Sequence, residues 1–99
     1  MIIIKQADAF NQWRKKESLS VGFVPTMGAL HRGHLSLVKK SMAMCNKTVV
    51  SIFLNPTQFG PNEDFESYPK TIESDIRLLH SAGVNVLFLP NEKEMYSRV

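Results

Sequence analysis

The stretch that decides the organisation of this chain is VGFVPTMGALHRGHL, at residues 21–35. A short apolar run closes at Pro25, and Gly28 and Gly33 then allow the backbone to come close to a ligand. A helix that begins near Gly33 would point free N–H groups and the positive end of its dipole at an anion. The stretch therefore predicts a strand, a phosphate-binding turn and a helix, in that order.

Two histidines, His31 and His34, lie three positions apart in this turn. Residues at this spacing are neighbours on a helix, so both imidazoles can approach the same phosphate oxygens. When a nucleophile attacks the α-phosphorus of ATP, negative charge grows on the phosphate oxygens, and an imidazole donor there stabilises the transition state. A lone histidine is more often a satisfied surface or core residue, but the pattern histidine, glycine, histidine after a strand favours chemistry on a nucleoside triphosphate.

Composition places the chain among small globular domains. Its 99 residues are 43% hydrophobic, which is enough for a real core. The net charge is +3, and the basic residues are dispersed over several predicted elements, which favours solvated surfaces over nucleic-acid binding. The single cysteine, Cys45, cannot form an internal disulfide, and the apolar run at residues 1–4 is too short for a signal or membrane segment. We therefore expect a cytoplasmic protein with no nucleic-acid or membrane partner.

Apolar periodicity predicts alternating strands and helices. Strands are expected at residues 2–4, 21–25, 49–54 and 84–89, and helices at residues 7–16, 33–45 and 71–82. Thr71 is the candidate N-cap of the last helix and Gly83 its stop. The alternation implies an α/β fold, a Rossmann-like doubly wound parallel sheet. Ligands of such sheets bind at the carboxyl ends of the strands, so the loops at residues 26–34 and 55–64 should share one cleft.

The loop NPTQFG, at residues 55–60, is a second candidate ligand-binding segment. Asn55 and Gln58 carry uncharged amides that can donate to a carboxylate or hydroxyl without burying a charge. That suits a small polar organic acid. The same content of Pro, Asn and Gly is equally consistent with a plain connecting turn.

The chain resembles the N-terminal portion of the pantothenate synthetase (pantoate–beta-alanine ligase) family in PTMGALHRGHLSLV and VVSIFLNPTQFGPNEDFESYPKT. The HxGH pattern alone is shared with other nucleotidylyltransferases and with class I aminoacyl-tRNA synthetases, but the longer segments make the resemblance specific. It implies ATP-dependent condensation of pantoate with beta-alanine through a pantoyl-adenylate intermediate, giving pantothenate, AMP and pyrophosphate. It also implies that Mg²⁺ accompanies the ATP and that the enzyme is a homodimer.

The resemblance also implies roles for single residues. The ATP site would be lined by Met27, Gly28, Ala29, Leu30, His31, Arg32, Gly33 and His34. Of these, His34 would be the catalytic, proton-donating residue at the α-phosphate, and His31 would help to hold the phosphates.

The remaining roles concern the acid substrates and the magnesium-nucleotide. Gln58 would contact both pantoate and beta-alanine, and Thr26, Met27 and Asn55 would frame the same pocket. Asp75 falls where the family tends to carry an acid near the magnesium-nucleotide; alternatively it is only an acid in the first turns of a helix. No metal site built from protein side chains is expected, because no Cys, Asp or Glu lies close to the two histidines in sequence.

Members of this family continue well beyond the length of this chain. The sequence therefore predicts a truncated sheet without the C-terminal lid domain, with residues 1–99 as the N-terminal part of the nucleotide-binding domain. Such a piece is expected to be inactive alone and to associate with itself, because the strand at residues 84–89 would leave apolar faces and edges open. Two alternatives stay open: another HxGH nucleotidylyltransferase, such as a cytidylyltransferase, and a non-catalytic self-associating module.

Overall fold

The structure, a computed structural model, describes residues 1–53 and 68–90 as alternating strands and helices. The strands are β1 (Ile2–Ile4), β2 (Val21–Thr26), β3 (Lys47–Ile52) and β4 (Val86–Phe88), and the helices are α1 (Ala7–Lys16), α2 (Arg32–Met44) and α3 (Tyr68–Ala82). All paired strands are parallel, in the order β1-β4-β3-β2. The predicted parallel α/β fold is confirmed.

The ends of the two later helices differ in part from the prediction. Helix α2 begins at Arg32, one residue earlier than expected, because His31 occupies the N-cap position. Helix α3 begins at Tyr68, so Thr71 lies inside the helix and the prediction that it is the N-cap is wrong. Pro69 is compatible with this earlier start, because the first turn of a helix does not need the N–H that proline lacks. Gly83 does end α3, with a φ of 91° that glycine adopts without strain.

The strand nearest the end of the described chain lies inside the sheet. Strand β4 pairs with β1 on one side, where Ile2 is opposite Val86, and with β3 on the other, where Val50 is opposite Leu87. Val86, Leu87 and Phe88 are all buried. The prediction that this strand leaves its edges open is therefore wrong, because β1 pairs with its outer side. Within the described residues, β1 and β2 are the edge strands.

The two faces of the sheet carry different cores, because successive strand residues point to opposite sides. On the face covered by α2 and α3, which we call the aliphatic face, the core consists of Val24, Val38, Val50, Ile52, Leu79, Val84 and Leu87. On the opposite face, which we call the aromatic face, Phe10 and Trp13 of α1 pack against Val49, Val86 and Phe88. The rings of Phe10 and Phe88 are stacked with centroids 4.6 Å apart. Helices on both faces make the sheet doubly wound, as predicted.

Candidate active site

The candidate site lies at the carboxyl edge of the sheet, where β2 leads into α2. Strand β2 ends at Thr26 and α2 begins at Arg32, so residues 27–31 form the connecting turn. The N–H of Phe53 donates to the carbonyl of Thr26 at 3.1 Å, which ties the end of β3 to the same edge. The structure thus brings residues 27–34 together at the edge where ligands of such sheets bind.

His31 and His34 cap the start of α2 reciprocally. The N–H of Gly33 donates to Nδ1 of His31 at 3.0 Å, and the N–H of His31 donates to Nδ1 of His34 at 3.1 Å. The two ring centroids are 4.2 Å apart. A neutral imidazole whose Nδ1 accepts a hydrogen bond carries its proton on Nε2. Both rings therefore keep Nε2–H as a donor for a ligand.

Two of the N–H groups predicted to be free at the helix start, those of Gly33 and His34, are used within the chain. His31 accepts from the N–H of Gly33 through Nδ1 and from the N–H of His34 through its carbonyl, at 3.0 Å in both cases. The prediction is therefore wrong for these two amides, because His31 caps the helix, and it is not contradicted for the N–H of Arg32, the first residue of α2. A phosphate placed here would also meet side-chain donors, the two Nε2–H groups and the exposed guanidinium of Arg32.

The sequence suggested that Gly33 lets the backbone approach a ligand. In the structure, Gly33 leaves space for the ring of His31. A Cβ at this position would lie 2.9 Å from Cε1 of His31. The ring of His31 cannot move away without losing its bond to the Gly33 N–H. The glycine therefore makes room for the capping imidazole, and the close approach is to a protein ring.

The turn before the histidines has an unusual backbone. Gly28 and Ala29 both have positive φ, of 88° and 51°. A residue with a side chain in this region costs roughly 1–2 kcal/mol, so the conformation of Ala29 needs compensating contacts. One is local: the N–H of Gly28 donates to Oγ1 of Thr26 at 3.3 Å, while the Thr26 hydroxyl donates to the carbonyl of Ser51 at 2.9 Å.

The second support of the turn comes from Asp75 in α3. This carboxylate is buried, with Oδ2 accepting from the N–H of Ala29 at 3.1 Å and Oδ1 accepting from the N–H of Leu30 at 3.0 Å. The sequence suggested either a place beside the magnesium-nucleotide or a helix-end acid. The helix-end alternative is wrong, because Asp75 lies well inside α3, and its two oxygens hold the backbone of the turn.

A pocket of about 320 Å³ opens on the other side of Thr26, at the carboxyl ends of β2, β3 and β4. Its lining is mostly apolar and consists of Phe23, Pro25, Thr26, Met27, Ser51, Phe53, Phe88 and Pro90. This volume is within the range of small-molecule sites. Thr26 and Met27 were expected to frame a substrate pocket and do line this one. The aromatic lining residues were not predicted, because apolar residues at strand ends are also typical of a hydrophobic core.

Two predicted contact residues, Asn55 and Gln58, lie outside the described residues, so their roles stay predictions. Within residues 1–53 and 68–90, no three His, Cys, Asp or Glu side chains are grouped so that they could hold a metal ion. A search of the same two ranges finds no helix with the length and apolar character that a membrane span needs.

Comparison with known sequences identifies the family. The family model for pantoate-beta-alanine ligase matches residues 2–99 of this chain. The pantothenate synthetase of Clostridium novyi is 55% identical over 86 residues, which cover 87% of this chain and 30% of that protein. That of Acidobacterium capsulatum is 64% identical over 77 residues, 78% of this chain and 26% of that protein. The chain thus spans about 30% of the length of these curated relatives.

Solved structures agree with the sequence matches. The crystal structure of pantoate-beta-alanine ligase from Francisella tularensis, complexed with beta-gamma ATP and beta-alanine, superimposes with a TM-score of 0.83 at 45% identity, over 98% of this chain and 38% of that one. The pantothenate synthetase of Thermus thermophilus gives a TM-score of 0.75 at 45% identity, over 97% of this chain and 34% of that one. Because the family model covers nearly every residue, this chain belongs to the pantoate–beta-alanine ligase family.

Proposed function

We propose that this chain is the N-terminal, nucleotide-binding part of a ligase that condenses pantoate with beta-alanine and ATP to give pantothenate, AMP and pyrophosphate. The observation that carries the proposal is the reciprocal capping of His31 and His34, which leaves two Nε2–H donors side by side at the carboxyl edge of the sheet. The structure of the Francisella tularensis relative, complexed with beta-gamma ATP and beta-alanine, supports ATP and beta-alanine as substrates.

In the first proposed step, a carboxylate oxygen of pantoate attacks the α-phosphorus of ATP. The bond from that phosphorus to the bridging oxygen breaks, and pyrophosphate leaves with the electron pair. His34 donates from Nε2 to the α-phosphate, where negative charge increases in the transition state, while His31 and Arg32 hold the phosphates. Residues 27–30 form the remaining wall of the ATP site. His34 is therefore the proposed catalytic residue.

In the second proposed step, the amine of beta-alanine attacks the acyl carbon of pantoyl adenylate. The bond from that carbon to the phosphate oxygen breaks, AMP leaves with the electron pair, and the amine nitrogen loses a proton to solvent as the amide forms. We assign pantoate to the pocket beside Thr26 and Met27, whose mostly apolar lining disfavours water near the reactive mixed anhydride. Gln58 is proposed to contact both acids through its amide, and Asn55 to frame the pocket.

The proposal includes Mg²⁺ that arrives with the triphosphate. Its ligands would come mainly from phosphate oxygens and water, as is usual for magnesium-nucleotide complexes. Both oxygens of Asp75 already accept backbone N–H groups, which argues against this carboxylate as a principal magnesium ligand.

The enzyme is further proposed to be a cytoplasmic homodimer. Strand β4 lies inside the sheet and does not support self-association. The support comes from the edge strand β2 and its neighbour α2. Phe23, Leu37 and Met44 on these two elements are large apolar residues that are more than half exposed, at 51%, 52% and 72%. Among the residues that the structure describes, β2 is an edge strand beside exposed apolar side chains, and such a surface favours association.

The family match favours the ligase over another HxGH nucleotidylyltransferase such as a cytidylyltransferase. Isothermal titration with ATP, CTP, pantoate and tRNA tests this choice, and binding of ATP and pantoate without CTP or tRNA is expected. For activity, this chain replaces the matching segment of the Thermus thermophilus relative. Such a chimera should form AMP and pantothenate in equal amounts from ATP, pantoate and beta-alanine. Selective CTP binding, or a folded chimera that forms neither product, would contradict the proposal.

A further inference from the structure

We infer that Asp75 is a positioning residue that sets the conformation of the ATP-binding turn from helix α3, and that it acts on the backbone rather than on magnesium. The inference deepens the proposed function and rests on it for the ATP measurements below. It concerns residues 28–30, which immediately precede the two histidines.

The first argument is the geometry of the contact. Asp75 is only 3% exposed, and its two carboxylate oxygens each accept one backbone N–H, from Ala29 at 3.1 Å and from Leu30 at 3.0 Å. The partners are separated by 46 and 45 residues in sequence. A buried carboxylate is tolerated only when hydrogen bonds replace its lost hydration. The turn supplies those bonds, and the carboxylate in return fixes two successive N–H directions.

The second argument is the backbone that the carboxylate holds. Gly28 and Ala29 have successive positive φ values, and alanine does not adopt such a conformation without support. Successive N–H groups in a turn of this kind converge and form a small anion-binding concavity. Here the anion in that concavity is the carboxylate of Asp75, so a phosphate is directed to the imidazoles on the following residues.

The third argument is the position of His31, next to Leu30 in the chain. His31 is the N-cap of α2, and its own N–H donates to Nδ1 of His34. The direction in which the chain enters the cap therefore depends on Leu30, whose N–H is held by Asp75. A change at α3 is expected to reach both imidazoles through this backbone.

The first test is hydrogen exchange of single amides, measured by NMR on the full chain. Asp75→Asn keeps the shape of the side chain but replaces one acceptor oxygen by an NH₂ group that cannot accept. Exchange should become roughly tenfold faster or more at the amide, of Ala29 or Leu30, that loses its acceptor, which is the scale of a lost hydrogen bond to a charged group. Amides of the buried strand residues Val50 and Leu87 report global stability and should not show this selective change. Unchanged exchange at Ala29 and Leu30 would overturn the inference.

The matched control removes a carboxylate from the same helix without touching the turn. Glu73→Gln suits this, because Glu73 is exposed and its ion-pair partner is Arg77, at 3.8 Å. It should leave exchange at Ala29 and Leu30 unchanged. If Asp75→Asn did not fold, the unsubstituted chain would decide: cross-hydrogen-bond couplings from the amides of Ala29 and Leu30 to the Asp75 carboxyl carbon should be present, and their absence would contradict the inference.

The second test separates positioning from magnesium binding. A positioning residue predicts that Asp75→Asn weakens ATP binding by a similar factor, about tenfold, with Mg²⁺ and in excess EDTA. A magnesium ligand predicts a loss only with Mg²⁺, and that result would overturn the inference. Ala29→Gly in the Asp75→Asn background should recover part of the affinity, because glycine adopts positive φ without strain. Failure of the unsubstituted chain to bind ATP would count against the proposed function, while the exchange result would still decide the role of Asp75.

Discussion

The aliphatic face of the sheet, under α2 and α3, supports the histidine cap and Asp75, whereas the aromatic face, under α1, borders the apolar pocket. The two faces are built from alternate residues of the same strands: Val50 belongs to one core and Val49 to the other. Strand alternation therefore separates the turn that we propose for the phosphates from the pocket that we assign to pantoate. The two sides meet at Thr26, which hydrogen-bonds the turn and also lines the pocket.

This difference implies that the two cores affect ATP binding unequally. Loss of packing on the aliphatic face should disturb the turn that we propose to bind ATP, because Asp75 belongs to a helix of that core and holds this turn. Loss of packing on the aromatic face should lower stability and leave the turn in place. The four predictions below test this asymmetry.

The largest expected effect is that of Leu79→Ala. Leu79 is fully buried in the aliphatic core, one helical turn after Asp75. The cavity should lower the free energy of unfolding by about 2–5 kcal/mol and weaken ATP binding in the fraction that stays folded. Chemical denaturation and ATP titration measure the two effects. Lys39→Ala, at an exposed position of α2, is the control and should change stability by less than about 0.5 kcal/mol.

A second prediction concerns His34 in a complete ligase that carries this chain. His34→Ala should lower kcat for pantoyl-adenylate formation by roughly 10²–10³, with a much smaller effect on ATP binding, because its donor acts on charge that develops in the transition state. His31→Ala should have a smaller effect of the same kind. His80→Ala, an exposed histidine of α3, is the control. A change confined to KM for ATP would replace the catalytic role by a binding role.

A third prediction tests the aromatic face. Phe10→Ala removes the stacks with Phe88 at 4.6 Å and with Trp13 at 6.0 Å. Since Phe10 is only partly buried, the loss of stability should be about 2 kcal/mol, below the value for a fully buried phenylalanine. ATP affinity of the folded protein should stay unchanged. A loss of affinity as large as that of Leu79→Ala would show that the two faces are not functionally separate.

The smallest effect is expected at the junction of the faces. Thr26→Val keeps the shape of the side chain but removes its bonds to Gly28 and Ser51, which should cost about 1 kcal/mol of stability. Because Thr26 touches both sides, affinities for ATP and pantoate should both fall by a few-fold. Ser36→Ala, at an exposed site in α2, is the control. A loss for only one of the substrates would place Thr26 in one site rather than at their junction.

The sequence alone was sufficient for the α/β class, for most element positions and for the location of the histidine turn. These features depend on local signals: apolar periodicity, a glycine that ends a helix at Gly83, and two histidines at fixed spacing. Motif resemblance added the ligase family, which the family match confirms. The roles of Asn55 and Gln58 stay predictions, since both lie outside the described residues.

Tertiary structure decided the strand order, the capping of α2 and the role of Asp75. Because β4 is the last predicted strand of the chain, its edges were expected to be open. Its pairing with β1 shows that it is interior. Asp75 lies in the same helical stripe as Ile72, Ile76 and Leu79, and a carboxylate in an apolar stripe signals a buried partner. The sequence could not say which partner, because the two N–H groups that it holds lie more than 40 residues away and are brought to it only by the crossover of the chain.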